Sequence, residues 1–262
     1  MSEELLSGVS QSKGVAWIGG ELREVEYAEL DGDAVVEGCI VVGTIAEVQQ
    51  ITRKFEGAKR ENLTIETFGS TIIGPKYRWP NKVVPYQLHQ HLPNPQRVRD
   101  AVAHWNSKTV LTFVERKPSN TSLYRDWIVF RPVSRGCRSR VGCQGGRQFI
   151  DIAEGCSTGN IIHEIGHAVG LWHEQSRRDR NEWIEIGLSS VPASEHHNFS
   201  QRINDGTDRG NYDYSSIMHY PPTAYSSNNS VTIRALKQGA ERMGQREGLS
   251  DGDISTVAMF YA

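Results

Sequence analysis

The chain has 262 residues, of which 37% are hydrophobic and 23% are charged, and its formal net charge is −2. This composition is typical of a soluble globular protein with one large domain or two small ones. The weak net charge argues against nucleic acid as the main partner, and no apolar run approaches the ~18 residues that cross a bilayer. We therefore expect neither a nucleic-acid nor a membrane partner, with a monomer as the default.

The charge is divided unevenly along the chain. Residues 1–69 carry 13 acidic and 6 basic side chains, a net charge of −7, whereas the remaining residues carry 18 and 23, a net charge of +5. These opposite charges predict that the amino-terminal segment docks on the rest of the chain. Two solvated surfaces that merely differ in charge are the alternative.

The amino-terminal segment contains one clear strand pattern. Residues 34–43 form a β-branched run that is interrupted at Gly38 and Cys39, which predicts a broken strand. Residues 44–61 are polar and have a partly helical pattern. Glycines and a proline within residues 69–75 then mark an irregular segment.

Beyond this segment the pattern predicts an α+β fold. Strand signals occur over residues 82–88, 111–114, 127–130 and 148–152. An amphipathic helix is predicted over residues 95–108, with Asn94 as its N-cap and Pro95 in the first helical position. A long loop-rich stretch follows, until a final helix over residues 251–260, for which Ser250 is a good N-cap.

An eleven-residue motif that begins at His163 carries the strongest functional signal, and it reads His-Glu-Ile-Gly-His-Ala-Val-Gly-Leu-Trp-His. On a helix, the four-residue spacing places His163 and His167 on one face, where both imidazoles can bind one zinc ion. Glu164 lies where it can reach a water on the metal. Gly170 is the expected helix breaker that lets His173 return as third ligand. This long form is much more specific than its five-residue core.

These residues resemble the astacin family of metzincin metallopeptidases. Glu174 directly follows the third histidine as in astacins, residues 172–180 look like the astacin continuation, and Ser216-Ile217-Met218-His219-Tyr220 matches the astacin turn. The resemblance covers about residues 70–262, and the stretch from residue 249 onward looks similar to bacterial members. It implies one catalytic domain over residues 70–262, with a twisted sheet and two long helices above an irregular lower subdomain. The substrate, a protein or peptide, would lie in the cleft between them.

The resemblance also implies roles for single residues. Met218 would form an apolar floor beneath the three imidazoles. Tyr220 would bind zinc at rest and donate a hydrogen bond to an oxyanion during turnover. Mature astacins begin close to the position of Ser70, and their new N-terminus is buried near the glutamate after the third histidine, so Glu174 would have a structural role. The substrate would pair with an edge strand near Gly145–Gln148.

Four cysteines, Cys39, Cys137, Cys143 and Cys156, allow three full pairings. Three of them lie within twenty residues, which predicts a stapled loop and an oxidising compartment; reduced buried thiols are the alternative. Residues 1–6 are acidic and lack the apolar core of a secretory signal, so either the protein is cytosolic or a signal was removed. The resemblance implies a secreted protein with a Cys137–Cys156 bridge, Cys143 as an extra thiol, and Cys137–Cys143 as a rival pairing.

Cys39 marks a departure from the family. Astacin prosegments usually place an aspartate after a glycine, and its carboxylate blocks the zinc, whereas this sequence reads Glu37-Gly38-Cys39-Ile40. A thiolate is a strong zinc ligand, and Gly38 lets the backbone approach the site closely. We therefore interpret residues 1–69 as an inhibitory prosegment with Cys39 as fourth ligand, removed by an activating protease. A small buried residue in a strand, or a disulfide partner for Cys143, is the alternative.

The sequence thus predicts a secreted zinc endopeptidase in a latent form. After the prosegment leaves, Glu164 would act as general base and Tyr220 would stabilise the oxyanion. Basic residues, with Arg147, Arg178 and Arg180 as candidates, would favour acidic substrates. The alternatives are a catalytically silent binding protein that retains the fold, a different zinc hydrolase, and a permanently inhibited protein.

Overall fold

The computed structural model describes residues 9–262 apart from residues 19–20, 60–71, 73 and 203–205. The expected boundary between residues 69 and 70 lies outside the described residues. Within the described part, no helix has both the length and the apolar character needed to cross a membrane. The strands are β1 (Gln11–Ile18), β2 (Glu21–Leu30), β3 (Asp33–Val36), β4 (Ile40–Thr44), β5 (Val83–Leu88), β6 (Thr112–Glu115), β7 (Trp127–Pro132), β8 (Cys137–Ser139), β9 (Arg147–Ile152), β10 (Ile184–Ile186) and β11 (Ile233–Ala235). The α-helices are α1 (Ile45–Lys59), α2 (Gln96–Lys108), α3 (Thr158–Ala168) and α4 (Asp251–Phe260).

Nine strands of the described chain form one mixed sheet in the order β1-β2-β3-β4-β8-β9-β7-β5-β6. Strands β1 to β4 belong to the amino-terminal segment, here residues 9–59, and are antiparallel to one another. Strand β4 continues the sheet by pairing in parallel with β8 at Ile40 and Ser139, and the Ser139 amide donates to the Cys39 carbonyl oxygen at 2.9 Å. The amino-terminal segment therefore docks on the rest of the chain, as the opposite charges predict.

The prediction of an edge strand near Gly145–Gln148 was wrong. These residues lead into β9, which lies inside the sheet between β7 and β8. Five strands of this sheet follow residue 74, and one edge of these five is β8, which β4 covers. The short sequence Cys137-Arg138-Ser139 lacks an apolar alternation, so it gives no strand signal on its own.

The predicted broken strand is confirmed, because residues 34–43 form β3 and β4 on either side of a tight turn. The turn contains Glu37 with φ of 48° and Gly38 with φ of 74°. Left-handed backbone is common for glycine but unusual for glutamate. The turn thus directs Cys39 away from the sheet, toward the motif that begins at His163.

Helices α2 and α3 pack together beneath the sheet, and Trp105 Nε1 donates to the Ile162 carbonyl oxygen at 3.1 Å. The predicted apolar face of α2 is buried at Val98, Ala101, Val102 and Trp105. The N-cap prediction for Asn94 was wrong. Asn94 has a φ of 45° and lies one residue outside the helix, and the Pro95 carbonyl accepts the first helical hydrogen bonds.

Helix α3 has clear local start and stop signals. The Ser157 hydroxyl accepts from the Asn160 amide at 3.1 Å, and the Asn160 side chain accepts from the Ser157 amide at 2.8 Å, which is a reciprocal capping box. The helix ends at Ala168, and Gly170, with a φ of 113°, turns the chain. A Cβ on Gly170 would lie 2.6 Å from the Phe260 ring. Both the positive φ and this close contact therefore require glycine.

The chain between α3 and α4 is irregular, as predicted, and consists mainly of 3₁₀ turns and loops around the small β10–β11 sheet. It has a separate aromatic core that includes Phe199, Tyr212, Tyr214, Tyr220 and Tyr225. The final helix is confirmed, and the Ser250 hydroxyl caps it by accepting from the Asp253 amide at 3.0 Å. The motif that begins at His163 therefore lies where the sheet-based half meets the irregular half.

Candidate metal centre

One sulfur atom and three nitrogen atoms converge in the interior. Cys39 Sγ lies 3.7, 3.3 and 3.5 Å from the Nε2 atoms of His163, His167 and His173. His173 Nε2 is 3.3 Å from His163 Nε2, and all four residues are buried. The predicted ligand set is thus brought together from the turn after β3, from α3, and from the segment that follows Gly170.

These distances can be tested against a tetrahedral zinc ion. Zn–N bonds of about 2.0 Å and a Zn–S bond of about 2.3 Å place two nitrogen ligands about 3.3 Å apart and sulfur about 3.5 Å from each nitrogen. The observed separations of 3.3 to 3.7 Å agree with both values. The four side chains therefore fit one zinc ion with three nitrogen ligands and one sulfur ligand.

The outer nitrogen of each imidazole is fixed by a hydrogen bond. Nδ1 of His163 donates to the Ile217 carbonyl at 2.8 Å, that of His167 to the Leu171 carbonyl at 2.8 Å, and that of His173 to the Glu37 carboxylate at 2.7 Å. This pattern leaves the Nε2 lone pairs for a metal. Burial holds the pKa of His163 and His167 well below the ordinary value of 6.5, so both imidazoles are neutral, as metal ligands must be.

Glu37 is a buried anchor that the sequence analysis did not identify. Its Oε2 accepts from His173 Nδ1 and from the Ser176 hydroxyl at 3.0 Å, while its Oε1 forms an ion pair with Arg202. Burial acts to raise the pKa of Glu37, but the Arg202 guanidinium and the hydrogen bond from His173 outweigh it and lower the pKa to about 2. One general rule could have indicated it, because a histidine that binds a metal often donates its other ring N–H to a carboxylate.

Tyr220 contacts the amino-terminal segment. Its hydroxyl donates to the Glu37 carbonyl oxygen at 2.7 Å, and its ring centroid lies 4.7 Å from that of His173. The family resemblance implies that Tyr220 binds zinc at rest. In this structure its hydroxyl instead donates to the Glu37 carbonyl, and Cys39 Sγ lies next to the three histidine nitrogens.

Met218 lies directly below the histidine helix. A Cβ on Gly166 would lie 2.6 Å from the Met218 sulfur, so the methionine packs against the residue that precedes His167. The turn that carries Met218 is held by Asp253 of α4, which accepts from the Ser216 hydroxyl at 2.6 Å and from the Ile217 amide at 2.9 Å. This support from α4 is a long-range contact that the local sequence around Met218 does not predict.

The family comparison is consistent with this geometry. Residues 71–262 match the family model described as Astacin, a family of peptidases. The chain belongs to the astacin family. The enzyme class expected from the sequence, a zinc metalloendopeptidase, is thereby confirmed at the level of the family.

Two astacin-family relatives and one solved structure illustrate the match. Zinc metalloproteinase nas-4 of Caenorhabditis elegans is 37% identical over 190 residues, which cover 70% of this chain and 59% of that protein. The bone morphogenetic protein 1 homolog of Strongylocentrotus purpuratus is 35% identical over 200 residues, which cover 71% and 31%. High choriolytic enzyme 1, a hatching enzyme zinc-protease from Oryzias latipes, is 31% identical with a TM-score of 0.62 and covers 70% of this chain and 92% of that one. The chain thus spans 31 to 59% of these two curated relatives, and its mixed α/β fold is similar to that of an astacin-like zinc protease.

Two glutamates of the astacin motif occupy different environments. Glu164 is fully buried on α3 next to His163. Glu174 accepts from the Asp213 amide at 2.9 Å, and Arg177 lies 3.5 Å from its carboxylate. Burial raises the pKa of Glu174 to about 8, although Arg177 opposes the shift. Glu174 also lines a pocket together with Asp213 and Asp253, beside the ligand cluster and not within it.

The disulfide of this astacin-family chain joins Cys137 and Cys156, which is the pairing that the resemblance implies. It connects the start of β8 to the loop that precedes α3 and so fixes the covered edge of the sheet near the histidines. Cys39 and Cys143 are buried and lie outside the bridge. Burial raises the pKa of the Cys143 thiol to about 11, so this thiol remains protonated near neutral pH.

Proposed function

We propose that this astacin-family chain is a latent, secreted zinc endopeptidase whose amino-terminal segment, residues 1–69, is an inhibitory prosegment. The observation that carries the proposal is the position of Cys39 Sγ, 3.3 to 3.7 Å from three histidine nitrogens. Those distances fit the fourth ligand of a tetrahedral zinc ion. Its substrates are proteins or peptides.

The chemistry follows from residues around the histidines. His163, His167 and His173 would hold a zinc ion, which would supply Lewis acidity for peptide hydrolysis. Glu164 accepts a proton from the attacking water and delivers it to the leaving amine. Tyr220, once separated from the Glu37 carbonyl, donates a hydrogen bond to the oxyanion.

The proposed prosegment obstructs three parts of this machinery at once. Cys39 fills the open metal position that a catalytic zinc site requires. Strand β4 pairs with β8 and covers the sheet edge that a substrate would use by strand addition. The Glu37 carbonyl accepts the hydrogen bond of Tyr220. The segment therefore acts on the metal site, the sheet edge and the phenol, and the sulfur at the metal position is the principal block.

Maturation would require an activating protease that cuts near Ser70, which lies outside the described residues. The pocket beside Glu174 supports a structural role for that residue, because Asp213 and Asp253 also line it. Four carboxylates and three arginines line the pocket, and a new terminal ammonium that paired with Glu174 there would favour the charged form of this buried carboxyl group. The Cys137–Cys156 bridge supports an oxidising, extracellular location.

A catalytically silent binding protein that retains the fold is not favoured. Such a protein has no need for three fixed imidazoles, a buried glutamate in the motif and a phenol against the third histidine, and the chain holds all of them. X-ray absorption at the zinc edge of the intact chain tests the latent state. Three nitrogens and one sulfur are expected, and a first shell without sulfur would overturn it.

Activity on casein, measured before and after limited proteolysis and with or without a chelator, tests the enzyme function. We expect activity only after proteolysis and only without chelator. The Glu164→Gln chain should keep its zinc and lose about 10²- to 10⁴-fold in rate. Substantial residual turnover in this metal-replete variant would refute Glu164 as the general base.

A further inference from the structure

Four arginines lie on the face of the sheet that is turned away from α3. Ile150 and Ile152 of β9 pack in the main core with Ile161 of α3, so Asp151 between them points to the opposite face. Arg131 of β7 and Arg138 of β8 are its direct neighbours across the sheet. Arg140 and Arg147 line the cleft above the same face.

The carboxylates that meet these arginines come largely from the amino-terminal segment. Asp33 lies 3.4 Å from Arg131 and 3.5 Å from Arg138, and Asp31 lies 3.2 Å from Arg138. Asp151 is the partner from the sheet itself, 2.8 Å from Arg138. These contacts put two carboxylates of the segment on one arginine whose side chain has no exposed surface.

A further pair extends the pattern along β4. Glu47, at the start of α1, lies 3.5 Å from Arg140. The arginine face, defined as Arg131, Arg138, Arg140, Arg147 and Asp151, carries a net charge of +3. The three segment carboxylates, those of Asp31, Asp33 and Glu47, carry −3 and balance it.

Removal of the segment would therefore leave a strong unbalanced charge beside β8. Asp151 would remain as the acidic partner of Arg138. A buried cation that loses its acidic partners destabilises the protein unless another anion replaces them. We propose that the arginine face is a specificity subsite for acidic side chains of the substrate, on the amino side of the scissile bond. The three segment carboxylates occupy this subsite in the uncleaved chain. The proposal deepens the proposed function and rests on it.

The direction of the substrate sets the side of the scissile bond. The segment pairs with β8 in parallel, which is the less stable direction. We take a productive substrate to run antiparallel to β8, the more stable direction. From Cys39, strand β4 runs over Ile40–Thr44 toward Arg140. An antiparallel substrate places the residues before its scissile bond along this stretch, and every second side chain faces the arginines.

The same geometry separates the three arginines named from the sequence. Arg147 lies on the arginine face, over the Phe149 ring at 5.2 Å. Arg180 donates to the carbonyl oxygens of Gln175 at 3.1 Å and of Phe199, so it braces the irregular half. The backbone amide of Arg178 donates to Asp208 at 3.1 Å. Of these three, we assign only Arg147 to the subsite.

The test uses the full chain after limited proteolysis and a set of peptides with one cleavable bond. Each peptide carries either Asp or Asn at one of the four positions before that bond. We expect Asp to raise kcat/KM about tenfold at alternate positions, the effect of one charge-assisted hydrogen bond. Arg140→Gln and Arg131→Gln, each about one-third exposed, should bring the Asp/Asn ratio close to one.

Arg242→Gln is the matched control, because Arg242 is an exposed arginine paired only with the exposed Glu247, and it should preserve the preference. The Glu164→Gln chain, activated in the same way, should bind the Asp peptide more tightly than the Asn peptide, and less so at high salt. Equal kcat/KM values for efficiently cleaved Asp and Asn peptides would overturn the subsite, as would a preference confined to positions after the bond. Failure to cleave any peptide would overturn the proposed function and the subsite with it.

Discussion

The hydroxyl of Tyr220 donates a hydrogen bond of 2.7 Å to the main-chain carbonyl oxygen of Glu37, which lies 183 positions earlier in the sequence. A carbonyl oxygen is also what a peptide substrate presents to a stabilising phenol. Under the proposed function, the amino-terminal segment would compete with substrate for this donor as well as for the metal. The phenol would then donate to Glu37 in the uncleaved chain and to the substrate oxyanion during turnover.

Tyr220→Phe should lower kcat of the proteolytically activated chain by about 10²- to 10³-fold with little change in KM, because one oxyanion donor is lost. Steady-state kinetics on a single-bond peptide measure this. Tyr124→Phe, on the connection between β6 and β7, serves as control and should behave like wild type. A kcat unchanged by Tyr220→Phe would remove the phenol from the reaction.

Cys39→Ala should release activity in the uncleaved chain. With sulfur gone, the fourth metal position is open, although β4 remains paired with β8. Cys143→Ala removes the other thiol outside the disulfide and should leave the chain latent. Hydrolysis of a short peptide by uncleaved protein compares the two variants. A Cys39→Ala chain as latent as wild type would count against the thiol as the block.

Glu37→Gln should loosen the docked segment. The substitution removes the charge of the buried carboxylate that pairs with Arg202, and breaking a buried ion pair costs about 3 kcal/mol. Hydrogen exchange of the β4 amides in the uncleaved chain should then accelerate by about a hundredfold. Glu29→Gln is the control, since Glu29 accepts a hydrogen bond from Ser12 of the same segment and a single hydrogen bond of this kind contributes little. Equal exchange in the two variants would show that Glu37 does not anchor the segment.

His219 should make the fold sensitive to acid. Its Nδ1 donates to the Tyr220 carbonyl at 2.7 Å, Tyr212 donates to its Nε2 at 2.7 Å, and burial lowers its pKa from 6.5 to about 4. The unfolded chain binds this proton near pH 6.5, whereas the folded chain does so only near pH 4. The free energy of unfolding is therefore fully retained above pH 6.5 and falls by about 3 kcal/mol as the pH drops to 4.

Urea unfolding of zinc-replete protein between pH 7 and pH 4.5 measures this effect. His219→Asn should give a shallower dependence of unfolding free energy on pH, because one proton fewer is taken up on unfolding. Protonation of the zinc ligands contributes equally to the pH dependence of the wild-type protein and of the His219→Asn variant. Parallel pH dependences would show that His219 is not the group responsible.

Local signals account for what the sequence could predict. The ligand spacing, the break at Gly170, the cap at Ser250 and the apolar face of α2 each depend on residues within a few positions of one another. The same locality explains the interrupted strand at Gly38. Such features can be predicted without knowing which distant segment each element contacts.

Long-range contacts account for what the sequence could not predict. Glu37 and His173 are 136 residues apart, and the sequence around either residue does not predict their contact. Strand β8 is recognisable only by its neighbours β4 and β9. Strands β1 and β2 gave no clear signal because β2 is rich in charged residues, with a sequence of Glu-Leu-Arg-Glu-Val-Glu-Tyr-Ala-Glu-Leu. Their place in the sheet depends on pairing and not on an alternating pattern.

The register of β4 against β8 has one more consequence. Cys39 contributes the metal-binding sulfur and also the carbonyl that accepts from Ser139, and the paired Ile40 follows directly. In the wild-type chain, removal of the segment therefore takes away the sulfur and the backbone link at the same residue. Unmasking by proteolysis should accordingly free the metal position and the sheet edge together.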